Sequence, residues 1–167
     1  MDLTPFAPWI VYLHVAGAFA FVAGHGVSMF VAFQLRKERD RARLGALLDL
    51  SLKSLNWAGI GLLVLFLSGI VAGIAKDDFG KGWIWISLAL LVVIAGLMTP
   101  VGGKYFTGVR VALGQRTRGL KPADPDPVPA SDTDLARLLV SKAPETLLLL
   151  GGGGFLVILW LMKFRPF

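Results

Sequence analysis

The sequence predicts an all-α fold, an integral membrane four-helix bundle, and three observations carry that expectation. Hydrophobic residues make up 55% of the 167 positions and charged residues only 17%, which is a membrane-like balance. The apolar residues gather in four runs, each long enough to cross about 30 Å of hydrocarbon at about 1.5 Å per residue. The basic residues crowd two of the segments between those runs and avoid the others. The length suits one domain, residues 1–167.

The first run is read as Trp9–Leu35. Met1 to Pro8 carries Asp2 and neither Lys nor Arg, so the basic region of a cleaved signal peptide is missing. The run stops at Arg36-Lys37-Glu38-Arg39-Asp40-Arg41, a stop-transfer pattern. Residues 39–53 read as a helix with Leu44, Leu47, Leu48 and Leu52 on one side, either extending the first span or lying along the surface. The second run is Trp57–Ile74. Its Gly69-x-x-x-Gly73 reads as a small-residue packing face. The third is Trp83–Val101, with Tyr105–Gln115 as a basic helical extension. Residues 121–130 hold Pro122, Pro125, Pro127 and Pro129, which excludes a helix and predicts an extended, exposed segment. Ser131 then caps a short helix bearing Leu135, Leu138 and Leu139. Pro144 suits the first turn of the fourth run, Thr146–Met162.

Charge orients the bundle. Arg36, Lys37, Arg39, Arg41, Arg43 and Lys53 fall between the first two runs. Lys104, Arg110, Arg116, Arg118, Lys121, Arg137 and Lys142 fall between the last two. The opposite side has Lys76, Lys81, Lys163 and Arg165. The positive-inside rule then places both termini outside and the two long basic loops in the cytoplasm. Trp9, Tyr12, Trp83, Trp85 and Trp160 would form the outer aromatic belt, Trp57 and Tyr105 the inner one. The net charge of +6 is explained by topology and anionic lipid rather than by nucleic acid. Cysteine is absent, which removes disulfides, thiolate metal sites, iron–sulfur clusters and thiol nucleophiles.

Chemistry is sought first at His14 and His25, the two histidines of the chain, both within the first run. At about 100° per residue they point within roughly 20° of each other, about 16 Å apart along the axis. That spacing puts His14 in the outer leaflet and His25 just inside the midplane. Ionisable residues within a span usually face the bundle interior and mark function. The sharp reading is axial ligation of haem, of the b type, by each histidine separately, since two imidazoles so far apart cannot share one iron. His25 is the preferred ligand. It lies between Gly24 and Gly26, with Met98 at similar depth as a sixth ligand. Gly152 and Gly153, within Gly151–Gly154, would face a flat cofactor or a closely approaching helix. The plain alternative is that both histidines only hydrogen-bond neighbouring helices. Copper or another metal at His14 and His25 is a further alternative, since imidazole and thioether suit it. Glu145 is read as a surface ion pair with Lys142. Gly102-Gly103-Lys104 fails as a phosphate loop, because Met98 and Tyr105 stand where glycine and Ser/Thr are required. No paired carboxylates and no Ser/His/Asp set support catalysis by side chains.

Leu13-His14-Val15, His25-Gly26-Val27-Ser28, Val31 through Arg36, and Glu38-Arg39-Asp40 resemble small four-helix bacterial membrane proteins of the DUF2269 type. They are also loosely similar to the copper-resistance D (CopD-like) membrane domain. The resemblance covers roughly residues 10–40 and the number of helices. It maps the family's early-helix histidine to His14 and implies a multi-pass protein of the bacterial plasma membrane, with no activity attached. The expectation is a non-catalytic or accessory membrane subunit, haem-binding through the first-span histidines, in a larger redox or photosynthetic assembly. Its partners would be the bilayer and either other membrane subunits or further copies of itself. Copper handling of the CopD-like kind and a purely structural role are the alternatives.

Overall fold

The computed structural model describes residues 3–117, 119–121 and 123–167. Met1, Asp2, Arg118 and Pro122 lie outside the described residues, so their place in the charge and proline patterns rests on the sequence. Among the described residues all regular structure is helical. After a 3₁₀ turn at Thr4–Phe6 come α1 (Ala7–Leu35), α2 (Arg41–Ala75) and α3 (Gly82–Ala112), then α4 (Asp132–Leu139) and α5 (Ala143–Leu148). A π-helical turn, Leu149–Gly153, joins α5 to α6 (Gly154–Phe164). Four stretches are long and apolar enough to cross a membrane: Thr4–Leu35, Arg41–Ala75, Gly82–Ala112 and Asp132–Phe164.

Local chemistry sets several boundaries. Asp40 is extended and its Oδ1 accepts from the Arg43 backbone N–H at 2.8 Å, which starts a new helix. Residues 41–53 therefore belong to α2 and run unbroken into the second span. They neither extend α1 nor lie separately on the surface. Ser131 caps α4 by accepting from the Asp134 N–H at 3.2 Å, and Pro144 occupies the first turn of α5. The third span continues to Ala112, with Pro100 accommodated inside it.

α1 and α2 form the most tightly packed pair. The approach needs glycine. A Cβ on Gly24 would come within 2.6 Å of the Ser54 carbonyl oxygen, and one on Gly17 within 2.6 Å of the Leu65 nitrogen. Small residues on facing helices let backbones meet where no solvent drives them together. Ser28 and Ser51 hydroxyls pair across this seam at 2.7 Å, buried.

Burial differs sharply along the bundle. Large apolar side chains such as Phe19, Ile60, Leu63, Val92 and Leu149 point outward, as lipid contact requires. A conventional core sits at the end of the bundle carrying the long loops. Val31, Ala32 and Leu35 of α1 meet Leu44, Leu48, Tyr105, Val109, Ala112, Leu135 and Leu139 there. This cluster forms a cap at that end of the bundle. The last turns of the first run, Val31 to Leu35, are part of that cap.

Ion pairs hold the rim. Arg36 Nη1 and Nη2 donate to both carboxylate oxygens of Glu145. Arg41 pairs with Asp132 at 2.7 Å and Arg110 with Asp49 at 2.8 Å. Glu145 thus takes Arg36 of the first helix as its partner, not Lys142. Arg36 reaches it because α1 runs on into the cap, and its guanidinium holds the Glu145 carboxyl below the usual carboxylate range.

Candidate functional site

Helix pairing decides the depth of each histidine. Gly24 faces Ser54 and Ala58, so His25 is level with Trp57, where the inner aromatic belt was expected. His14 lies level with Leu65, toward the end of the bundle that carries both termini.

His14 is set by two features of α2. Its Nδ1 lies 2.8 Å from the Leu65 carbonyl oxygen. A carbonyl only accepts, so Nδ1 is the donor in this contact. Gly69 makes room for the ring. A Cβ there would come within 2.8 Å of His14 Cε1. The Gly69/Gly73 pair packs closely, as read, but against side chains of different elements. Gly69 seats the imidazole, and Gly73 faces Phe79 and Ile84.

His14 lines a chamber of about 580 Å³ at the termini end. The chamber forms because α1 packs chiefly on α2, and α3 on α6; these pairs meet at the loop end and part toward the termini. Its walls are apolar, with Ala18, Leu65, Gly69, Leu88, Leu91 and Ile158 among them, and Met162 contributes a thioether. Its rim carries Lys76, Lys163 and Arg165 against one carboxylate, Asp78. Asp78 is buried; it accepts from Lys81 Nζ and lies 3.9 Å from Arg165 Nη1. Arg165 also lies over Trp83, 5.2 Å from the ring centre. Trp83 is only 6% exposed, so it is a wall residue and not part of the outer belt. Its indole Nε1–H is buried without a hydrogen-bond partner. Trp9, Tyr12, Trp85 and Trp160 are exposed at this end as expected, and Trp57 is exposed.

His25 stands in a different setting. It stacks on Phe21, with ring centres 5.4 Å apart and planes 16° from parallel. Its Nε2 is buried without a hydrogen-bond partner. Met98 and Gly151 close around that nitrogen. The point where a Gly151 Cβ would stand is 3.0 Å from Met98 Sδ and 3.3 Å from His25 Nε2. The sequence reading of His25 and Met98 at one depth is matched here, but the gap between them is narrow and belongs to no large cavity.

The glycine run divides. Gly151 meets Met98 and His25, and Gly154 meets Ile94. Gly153 has nothing within 4 Å, and Gly152 only Leu148 of its own helix. The expected close face thus falls on Gly151 and Gly154, not on Gly152 and Gly153. The π-helical turn shifts the register by adding a residue to one turn, which a regular-helix reading places wrongly.

Among the described residues no group of three or more His, Cys, Asp or Glu could hold a metal ion. Sequence reasoning missed that Met162, Trp83 and Arg165 line the same chamber as His14. Met162 carried a signal, since its place near the end of the fourth run matches the depth of His14 from the start of the first. The Trp83–Arg165 contact had none, because it depends on how the C-terminal residues fold back. No family model, curated protein or solved structure matches the chain.

Proposed function

We propose that this protein is a haem-binding accessory subunit of a larger redox assembly in the bacterial plasma membrane, with the haem seated in the termini-end chamber on His14. One observation carries the reading: His14, held through its Nδ1 on the Leu65 carbonyl, lines a large apolar chamber. Metal-bound histidines characteristically use the second ring nitrogen in this way.

The residues fit such a group on a second count. A b-type haem has an apolar macrocycle and two carboxylates. The chamber offers apolar walls, three cations at its rim and the unpartnered Trp83 Nε1–H. Arg165, Lys163 and Lys76 would meet the carboxylates, and the walls would exclude water. Haem, when bound, supplies one-electron chemistry. The chain's own work is to orient the ring, neutralise its acid groups and shield it from solvent. The support has moved from His25, the preferred ligand in sequence, to His14, because the chamber lies there.

The test is an absorption spectrum of the detergent-purified protein during titration with haemin. A saturable Soret band at one equivalent is expected, lost in His14→Ala and kept in His25→Ala. A featureless titration of the parent would remove the reading.

A second reading, a copper-handling membrane protein of CopD-like type, is favoured by a separate observation. His25 Nε2 and Met98 Sδ converge beside Gly151, and imidazole with thioether is a soft donor pair suited to Cu(I).

A further inference from the structure

We infer that Met162 is the second protein ligand for a haem in the chamber, paired with His14, and that the site is closed to small exogenous ligands. The inference rests on the haem reading of that chamber. His14 belongs to the α1/α2 pair and Met162 to the α3/α6 pair, the two pairs whose separation creates the space. Met162 is the one sulfur among the chamber's lining residues, since Met98 packs beside Gly151 and His25 instead.

The C-terminal residues hold Met162 at this depth. Leu161, its neighbour, is buried. The Arg165 N–H donates to the Leu161 carbonyl at 2.9 Å as the chain turns left-handed at φ 46°. The turn returns the Phe167 carbonyl to the Trp83 N–H at 3.4 Å. Arg165 is fixed over Trp83 and beside Asp78. The helix end is thus pinned to the start of α3, while methionine itself has three rotatable bonds with which to reach inward. Histidine with methionine leaves no open coordination position and raises the reduction potential relative to two nitrogen ligands. Such a site suits electron transfer and not the binding of a gas.

The experiment uses the full-length protein reconstituted with haemin, read by optical and electron paramagnetic resonance spectra with and without carbon monoxide. The parent should be low-spin, and its reduced spectrum should not respond to carbon monoxide. Met162→Leu, which conserves volume, should become high-spin and bind carbon monoxide. Met162→His should restore a low-spin, closed site at a lower midpoint potential. Met98→Leu should behave as the parent. A parent that binds carbon monoxide, or a Met162→Leu protein with an unchanged spectrum, overturns the ligand pair while leaving haem in the chamber. A parent that takes up no haemin overturns both.

Discussion

His14 Nδ1 lies 2.8 Å from the Leu65 carbonyl oxygen, in a seat that exists because position 69 has no side chain. That contact fixes the imidazole by one nitrogen, on a ring that lines the chamber. Gly69→Ala would push a methyl group to within 2.8 Å of Cε1. Haemin affinity should fall by about 10- to 100-fold, the range for loss of a supporting hydrogen bond to a ligating histidine. Gly59→Ala on the same helix, where nothing lies within 4 Å, should bind as the parent does. Equal affinities in the two variants would show that the seat does not matter.

The glycines separate by surroundings. At Gly24 a Cβ would meet backbone at 2.6 Å, and backbone cannot rotate away. Gly24→Ala should therefore destabilise the α1/α2 hairpin by about 1–3 kcal/mol, the usual cost of overpacking. At Gly153 a Cβ meets open space, so alanine should be neutral or stabilise by up to about 1 kcal/mol through helix propensity. Unfolding in mixed micelles would compare them, and a Gly153→Ala protein less stable than Gly24→Ala would contradict the packing described.

The Arg36–Glu145 pair predicts a pH effect of definite sign. The Glu145 carboxyl is lowered from its ordinary 4.5, chiefly by the hydrogen bond from Arg36. A carboxyl depressed in the folded state stabilises fully above its unfolded value, and that stabilisation fades as pH falls through the folded value. Thermal stability of the parent should drop on acidification below about pH 4.5, and Glu145→Gln should flatten that part of the profile. Both carboxylate and guanidinium lie at the protein surface, so the difference should be small and shrink in high salt. Identical profiles would remove the pair from the acid response.

Sidedness is open to labelling, because the chain has no cysteine of its own. Gly80→Cys, in the short turn between α2 and α3, should react with an impermeant maleimide from outside the cell. Val128→Cys, 86% exposed in the proline segment, should react only after lysis. The expectation rests on thirteen basic residues on the loop side against four on the other. Reaction of both in intact cells would overturn it.

The soft-donor reading of His25 and Met98 has its own check. Silver ion, a stand-in for Cu(I), should bind at one equivalent and shift the His25 imidazole resonances. Met98→Leu and His25→Ala should each abolish that response, with His14→Ala unaffected. If the resonances of His25 never move, the unpartnered Nε2 is only a cost of packing.

The sequence by itself determined that the chain is helical and has four membrane-length runs. Composition and run length decide those, because a backbone in hydrocarbon must satisfy its own hydrogen bonds. It also carried the caps at Asp40 and Ser131, which act over three residues, and the shared depth of His25 and Met98, which follows from rise per residue. What it could not carry was which helix faces which. Outward and inward faces of a membrane helix are both apolar, so no periodicity distinguishes the lipid side from the chamber side. Only the packing of α1 on α2 showed that Gly24 and Gly17 touch backbone and that Gly69 seats an imidazole. Only the π-helical turn showed that Gly151 and Gly154, not Gly152 and Gly153, meet their neighbours. The chamber beside His14 likewise depends on two helix pairs that close at the capped end and part at the other, a difference set by side-chain packing across all four helices.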